Sequence, residues 1–139
     1  MYNPVRYAIS SCLVTAVLLA AAPIASAEPT IVAPPEVPPD PSRLVFVDNP
    51  AIVGPQPMQM ESWSRSGDGL MVNFTSGVPE CYGVHVDVEE TEQTVTVELY
   101  GGAPPESVGR ICILLAVFGT LQVPLQSPLG ERQVLDKVR

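Results

Sequence analysis

The sequence predicts an all-β fold: a small antiparallel β-sandwich or partly rolled sheet with one disulfide, preceded by a signal peptide and a Pro-rich linker. Three observations point there. Apolar residues alternate with a period of two over residues 70–75, 84–89 and 94–99, the spacing of strands with one buried face. Turn chemistry sits between these runs, at Ser66-Gly67-Asp68-Gly69 and at Glu89-Glu90-Thr91-Glu92-Gln93. Two cysteines, Cys81 and Cys112, bracket the second pair of runs and suit a bridge across a small core.

The chain divides into 1–27 signal peptide, 28–42 Pro-rich linker and 43–139 β domain. Arg6 supplies a positive start, residues 13–22 an apolar run, and Ala25-Ser26-Ala27 the small residues of a cleavage site. Cleavage between Ala27 and Glu28 is expected. The apolar run is shorter than the roughly 20 residues of a spanning helix and is followed by Pro23, so no stable membrane span is expected after cleavage. An uncleaved anchor is the alternative. Cys12 precedes the apolar run, whereas a lipidated cysteine follows one. Removing residues 1–27 leaves Cys81 and Cys112 as the cysteines of an exported chain, and an oxidising compartment favours their disulfide.

Residues 28–41 hold six prolines. Proline fixes φ and deletes a backbone donor, so this stretch is expected to be extended, as a semi-rigid spacer or disordered arm. In the domain, residues 44–47 form a first short strand. Pro50, Gly54, Pro55 and Pro57 mark an irregular crossing. Residues 58–75 form a hairpin, with Leu70, Val72 and Phe74 inward and Trp63 as a core anchor. In the next hairpin Val84, Val86 and Val88 face the core, as do Val95, Val97 and Leu99 on its return. Cys81 shares the outward parity of His85, which requires a bulge or the end of regular pairing near Gly83. The apolar run 111–118 fits a strand buried on both faces or a short buried helix; the flanking Gly109 and Gly119 and its β-branched start favour a strand or a turn leading into one. Leu121, Val123 and Leu125 alternate around Pro124 as an edge strand, and residues 133–135 close the fold.

Composition excludes some chemistry. The full chain carries a formal net charge of −8, and removal of Arg6 with the signal leaves 6 basic and 15 acidic side chains, a net of −9. Nucleic acid and anionic lipid both want clustered Lys and Arg, and here they are scattered. His85 is the single histidine. It would have to be the base of any hydrolase, with Asp87 two residues on, yet no nucleophile or Gly-x-Ser-x-Gly elbow accompanies it. Glu89, Glu90, Glu92 and Glu98 could furnish a carboxylate pair, but acids on a turn lack a walled cleft. No metal set, calcium loop or phosphate-cradling loop is present, so no metal and no cofactor is expected.

Residues 84–99 read strand, Glu-Glu-Thr turn and Val-Thr-Val strand. The chain closes on Pro128-Leu-Gly-Glu-Arg-Gln-Val-Leu-Asp136. With the cysteine after the second hairpin, residues 61–136 resemble a group of small exported actinobacterial proteins, functionally uncharacterised and some of them lipid-anchored, with a C-terminal Pro-Leu-Gly-acid-Arg-x-Val-x-Asp motif. The resemblance implies a β-rich domain and an envelope or extracellular location, and it carries over no catalytic residue. The chain departs from the lipid-anchored members in lacking a properly placed lipobox cysteine directly after the apolar run.

The expected function is an exported, non-enzymatic binding or structural module of the cell envelope or extracellular space. Its partner would be an envelope protein or polymer, presented to the acidic 89–93 tip, the 101–107 loop or the 50–60 crossing with Met58 and Met60. The alternatives are a secreted hydrolase inhibitor working through loop 101–110, or a hydrolase using His85.

Overall fold

The structure, a computed structural model, describes residues 28–138. The signal segment, its cleavage at Ala27 and Cys12 lie outside the described residues. Among the described residues the strands are β1 (Thr30–Val32), β2 (Leu44–Phe46), β3 (Val53–Met58), β4 (Ser62–Ser66), β5 (Gly69–Ser76), β6 (Gly83–Glu90), β7 (Thr94–Ala103), β8 (Val117–Val123) and β9 (Gln133–Val138).

They form two sheets. In the first, β7 is central: β6 pairs along one side, while β3 and β9 share the other and β1 lies outside β9. The second runs β2-β8-β5-β4. Both sheets are mixed, because β2 is parallel to β8 and β7 is parallel to β9. The all-β sandwich with one disulfide is therefore the observed fold, but it is not purely antiparallel.

Alternation sets the core. Val84, Val95, Val97, Leu99 and Val134 project from the first sheet, and Trp63, Leu70, Val72, Phe74, Leu121 and Val123 from the second, all buried. Phe46 meets Phe74 edge to face at 5.2 Å. Gly119 of β8 lies beneath both rings, and a Cβ there would stand 2.6 Å from Phe74 and 2.8 Å from Phe46. Between β4 and β5 the chain turns on Gly67 and Asp68. Gly67 takes φ +54° and Asp68 does not take positive φ, so the turn depends on the glycine before the aspartate rather than on the Asp-Gly pair.

Three expectations change here. The crossing over residues 50–57 contains strand β3, whose two prolines are tolerated because it pairs on one side only, with β7, and shifts register between Val53 and Gln56. β8 is an interior strand that ends at Val123, so Pro124 lies just past the sheet instead of marking an edge. The stretch expected to be a spacer is, from Thr30 onward, a strap across both sheets. β1 pairs with β9, Val37 N–H donates to the Trp63 carbonyl, Trp63 N–H donates to the Pro35 carbonyl, and the Trp63 indole Nε1 donates to the Pro34 carbonyl at 3.1 Å. Proline lacks a donor but keeps its acceptor, and this contact uses that acceptor.

One acid sits inside. Val134 and Asp136 share the inward parity of β9, and Asp136 is fully buried. Its Oδ2 accepts the Met60 N–H at 2.9 Å, where the chain crosses from β3 to β4; its Oδ1 has no partner among the described residues. Burial pushes this carboxyl above the ordinary carboxylate value, and the Met60 N–H opposes that only in part. The folded protein therefore holds a proton that the unfolded chain releases near pH 4. Stability from this group is full below that pH and falls as pH rises through the raised native value. Asp136→Asn is expected to remove that decline: urea midpoints of variant and wild type should be close at acid pH and separate in favour of the variant near neutrality.

Candidate functional site

The residues that join the sheets build the candidate surface. The chain leaves β5, turns through residues 77–82 and enters β6 in the other sheet. It returns from β7 through residues 104–116 into β8. Both crossings lie at one end of the sandwich, and the Cys81–Cys112 disulfide joins them, with Cα atoms 5.9 Å apart. Cys81 belongs to a turn in which its N–H and that of Tyr82 both donate to the Val78 carbonyl. Regular pairing starts at Gly83, so the outward parity of Cys81 never applies.

The second crossing begins tightly. Pro104 and Ser107 are buried, and residues 105–107 form a 3-10 turn closed by the Ser107 N–H and Oγ on the Pro104 carbonyl. Loop 101–110 is thus strand through Ala103 and then a turn anchored at Pro104 and Ser107, exposed at Pro105, Glu106, Val108, Gly109 and Arg110. After it the chain runs free of turn, bend or helix over residues 111–116. This apolar stretch is neither a buried strand nor a buried helix. Ile111 is fully exposed, Leu114 is 95% exposed, and Ile113, Leu115, Val108 and Phe118 are exposed too. The segment lies outside the core because β8 takes up pairing with β5 only at Val117, opposite Ser76.

Beside this ribbon are two shallow grooves that share Ser76, Gly77 and Tyr82. One, of about 360 Å³, runs along Leu114, Leu115 and Ala116. The other, also about 360 Å³, is floored by glycines of β6 and β7 and walled by Met58, Cys81 and Tyr82. Between Glu106 and Glu131 the sequence contains no Asp, Glu or Lys, and Arg110 is its single charged residue. The ribbon is therefore apolar and covalently braced, with Arg110 as its charged residue and the exposed Glu80 next in sequence to its disulfide partner Cys81.

His85 lies elsewhere, on the outer face of β6. Its Nδ1 is 2.8 Å from Asp48 Oδ1 and its Nε2 is 3.4 Å from Asp87 Oδ1, while its ring stacks on Tyr100. Asp48 also accepts the Val86 N–H at 3.1 Å. Both ring nitrogens face carboxylates. The Asp87 neighbour is the one the sequence indicated. Asp48 is 37 residues away and carries no local signal. Among the described residues, no group of three or more His, Cys, Asp and Glu could hold a metal ion.

The acidic tip divides. Glu89 and Glu92 are exposed, but Glu90 is not simply solvated. It accepts the Gln126 N–H at 2.7 Å and Arg132 Nη1 at 2.8 Å. The Gln126 N–H first, and Arg132 beside it, hold the Glu90 carboxyl below its usual value. Arg132 also donates to the Ser127, Pro128 and Leu129 carbonyls. The Pro-Leu-Gly-Glu-Arg ending is thus a loop folded around its own arginine, and the motif's last residue is the buried Asp136. These are structural roles. Their cleft, about 630 Å³, is broad and open.

Comparison with known proteins finds no matching family model, no matching curated protein and no matching solved structure.

Arg132→Ala is expected to lower unfolding stability by about 2–3 kcal/mol, because it strips several carbonyls and the Glu90 carboxylate of their donor. Arg132→Lys should restore only part, lacking the planar fork. The deficit should be present above the ordinary carboxylate pKa and shrink as pH falls through the lowered Glu90 value. Urea unfolding across pH measures both.

Proposed function

We propose that this protein is an exported, non-enzymatic binding or structural module of the cell envelope or extracellular space, and that it binds through the ribbon at residues 108–118. The observation that carries the proposal is the exposure of six large apolar side chains on one disulfide-braced segment. A contiguous apolar patch of this kind on a small domain marks an interaction surface. Ordering a loop on binding has an entropic cost, and the bridge at Cys112 lowers it in advance.

The disulfide supports an oxidising address outside the cytosol. No helix among the described residues is long and apolar enough to cross a membrane. The resemblance to small exported envelope proteins agrees with that address. Among the described residues His85 has Asp48, Asp87 and Tyr100 as its ring partners and no nucleophile, which supports a non-catalytic reading of the lone histidine. A hydrolase inhibitor needs an exposed, braced loop; here that description fits residues 108–116 better than the anchored 101–107.

The test is capture from envelope material by the exported, oxidised chain and by the double variant Ile111→Asp, Leu114→Asp. The proposal expects a protein or polymer that the wild type retains and the variant loses. Retention of nothing, or of the same material by both, would refute it.

A second prediction concerns the brace. Replacing Cys81 and Cys112 with Ser is expected to lower stability by about 3–4 kcal/mol, the effect of opening a loop closed across 31 residues. Denaturant midpoints of the oxidised protein and the double-Ser variant measure it. The same variant should capture less, since the ribbon loses its tether.

A further inference from the structure

We infer that the slot between residues 39–43 and the outer face of the second sheet is a binding site for a neutral sugar unit. The inference does not rest on the ribbon; it concerns another surface, with observations of its own.

The strands build the floor. Ser62 of β4, Asn73 of β5, Thr120 of β8 and Val45 of β2 stand in register across the second sheet. They alternate with Trp63, Val72 and Leu121 of the core, so this row lies on the outer face. Ser64 and Met71 form a neighbouring pair on that face. The outer face of a sheet ordinarily meets water. Here Ser62, Ser64, Asn73 and Thr120 are buried, because the strap crosses above them on its way from Val37, beside β4, to β2. Between strap and sheet a slot of about 300 Å³ remains, with Pro39, Asp40 and Pro41 on one side and Ser64, Asn73 and Thr120 on the other.

Hydrogen bonding shows what the floor lacks. Asn73 Nδ2 donates to Ser62 Oγ, and Thr120 Oγ1 donates to Asn73 Oδ1. Ser64 is 1% exposed and lines the slot, yet its hydroxyl forms no hydrogen bond among the described residues. Asn73 keeps a second amide hydrogen beyond the one given to Ser62. A buried hydroxyl without a partner is costly, and a ligand group that both donates and accepts relieves it.

Charge narrows the class. Arg43 is the cation among the lining residues, and its guanidinium lies 3.9 Å from Asp40 and 3.7 Å from Glu61. An anion drawn to Arg43 would meet those carboxylates with it. Asp40 in turn accepts the Ser42 N–H and hydroxyl, and Glu61 accepts the Thr75 hydroxyl, so a cation finds both acids engaged. A wholly apolar ligand would seal the Ser64 hydroxyl away unsatisfied. A peptide joins a sheet through the main chain of an edge, and this is a face. A sugar ring meets each condition. Its hydroxyls donate and accept toward the floor, and its apolar C–H face suits Pro39, Pro41, Val45 and Met71. The volume is at the lower limit for ligand sites, so the slot takes one ring.

The experiment is an amide NMR titration of the oxidised chain with the methyl glycosides of glucose, galactose, mannose and N-acetylglucosamine. At least one glycoside is expected to give saturable shifts at Ser64, Met71, Asn73, Thr120, Asp40 and Arg43, with a Kd in the millimolar range open to a single small ring. Ser64→Ala should raise that Kd about fivefold to tenfold, the effect of losing one hydrogen bond. The substitution removes one oxygen and adds no heavy atom, so the urea midpoint should hold. Should the variant fail to fold, the wild-type shift map alone decides. The inference is overturned by no saturable shift with any of these glycosides, by shifts that saturate elsewhere on the molecule, or by an affinity that Ser64→Ala leaves unchanged. Sodium acetate or N-methylacetamide moving the same amides as strongly also overturns it, in favour of an anion or an amide ligand.

Discussion

Two sheet-to-sheet crossings fastened to each other by one covalent bond are the constraint on which this molecule turns. Cys81 sits on the path from β5 to β6 and Cys112 on the path from β7 to β8. Each path leaves one layer of the sandwich for the other. Joined, they fix the spacing of the layers at that end, where Pro104 is buried and Ile52, from the segment before β3, lies close to Gly83 and Gly102. At the β3–β4 crossing the Asp136 carboxyl, holding the Met60 N–H, serves a similar purpose with a hydrogen bond. A domain of this size closes a modest core, and such fasteners supply what burial alone does not.

The fastening also explains how an apolar segment persists in water. Residues 111–116 have no strand to join, because β5 has already turned away at Gly77. A free apolar loop would collapse onto the nearest core. Here the bridge at one end and β8 at the other hold it out, beside grooves lined by Tyr82 and the glycines of β6 and β7. The ribbon is therefore a positioned surface, and its near lack of charge distinguishes it from the acidic body that carries it.

Much of this was legible in the sequence, and the failures are instructive. The two hairpins follow from period-two alternation, and Leu70, Val72, Phe74, Val84, Val95, Val97 and Leu99 are where parity places them. Strand β3 was hidden because Pro55 and Pro57 argue against a strand until its neighbour is known to lie on one side only. The strap was hidden because six prolines suggest spacing, whereas its anchor is the Trp63 indole 29 residues on. The parallel pairs are long-range and leave no local mark. Within the site, the apolar identity of residues 111–118 was plain, but hydrophobicity implied burial and the structure exposes them. Asp48 beside His85 and Glu90 on Arg132 are contacts between distant segments, which neither spacing nor composition reveals.

The strap carries a consequence for how the chain matures. Thr30 pairs with Val138, and β1 reaches its place only against β9. Contacts of such sequence separation form late, since a long loop must close before they contribute. A chain is synthesised N-terminus first. Its first strand must then wait, unpaired, while the rest of the domain arrives, and the prolines that follow β1 keep that waiting segment from pairing with itself or a neighbour. The outer edge of the sheet joins residues 30–32 to residues 136–138, so the strands between them must be in place before that edge closes.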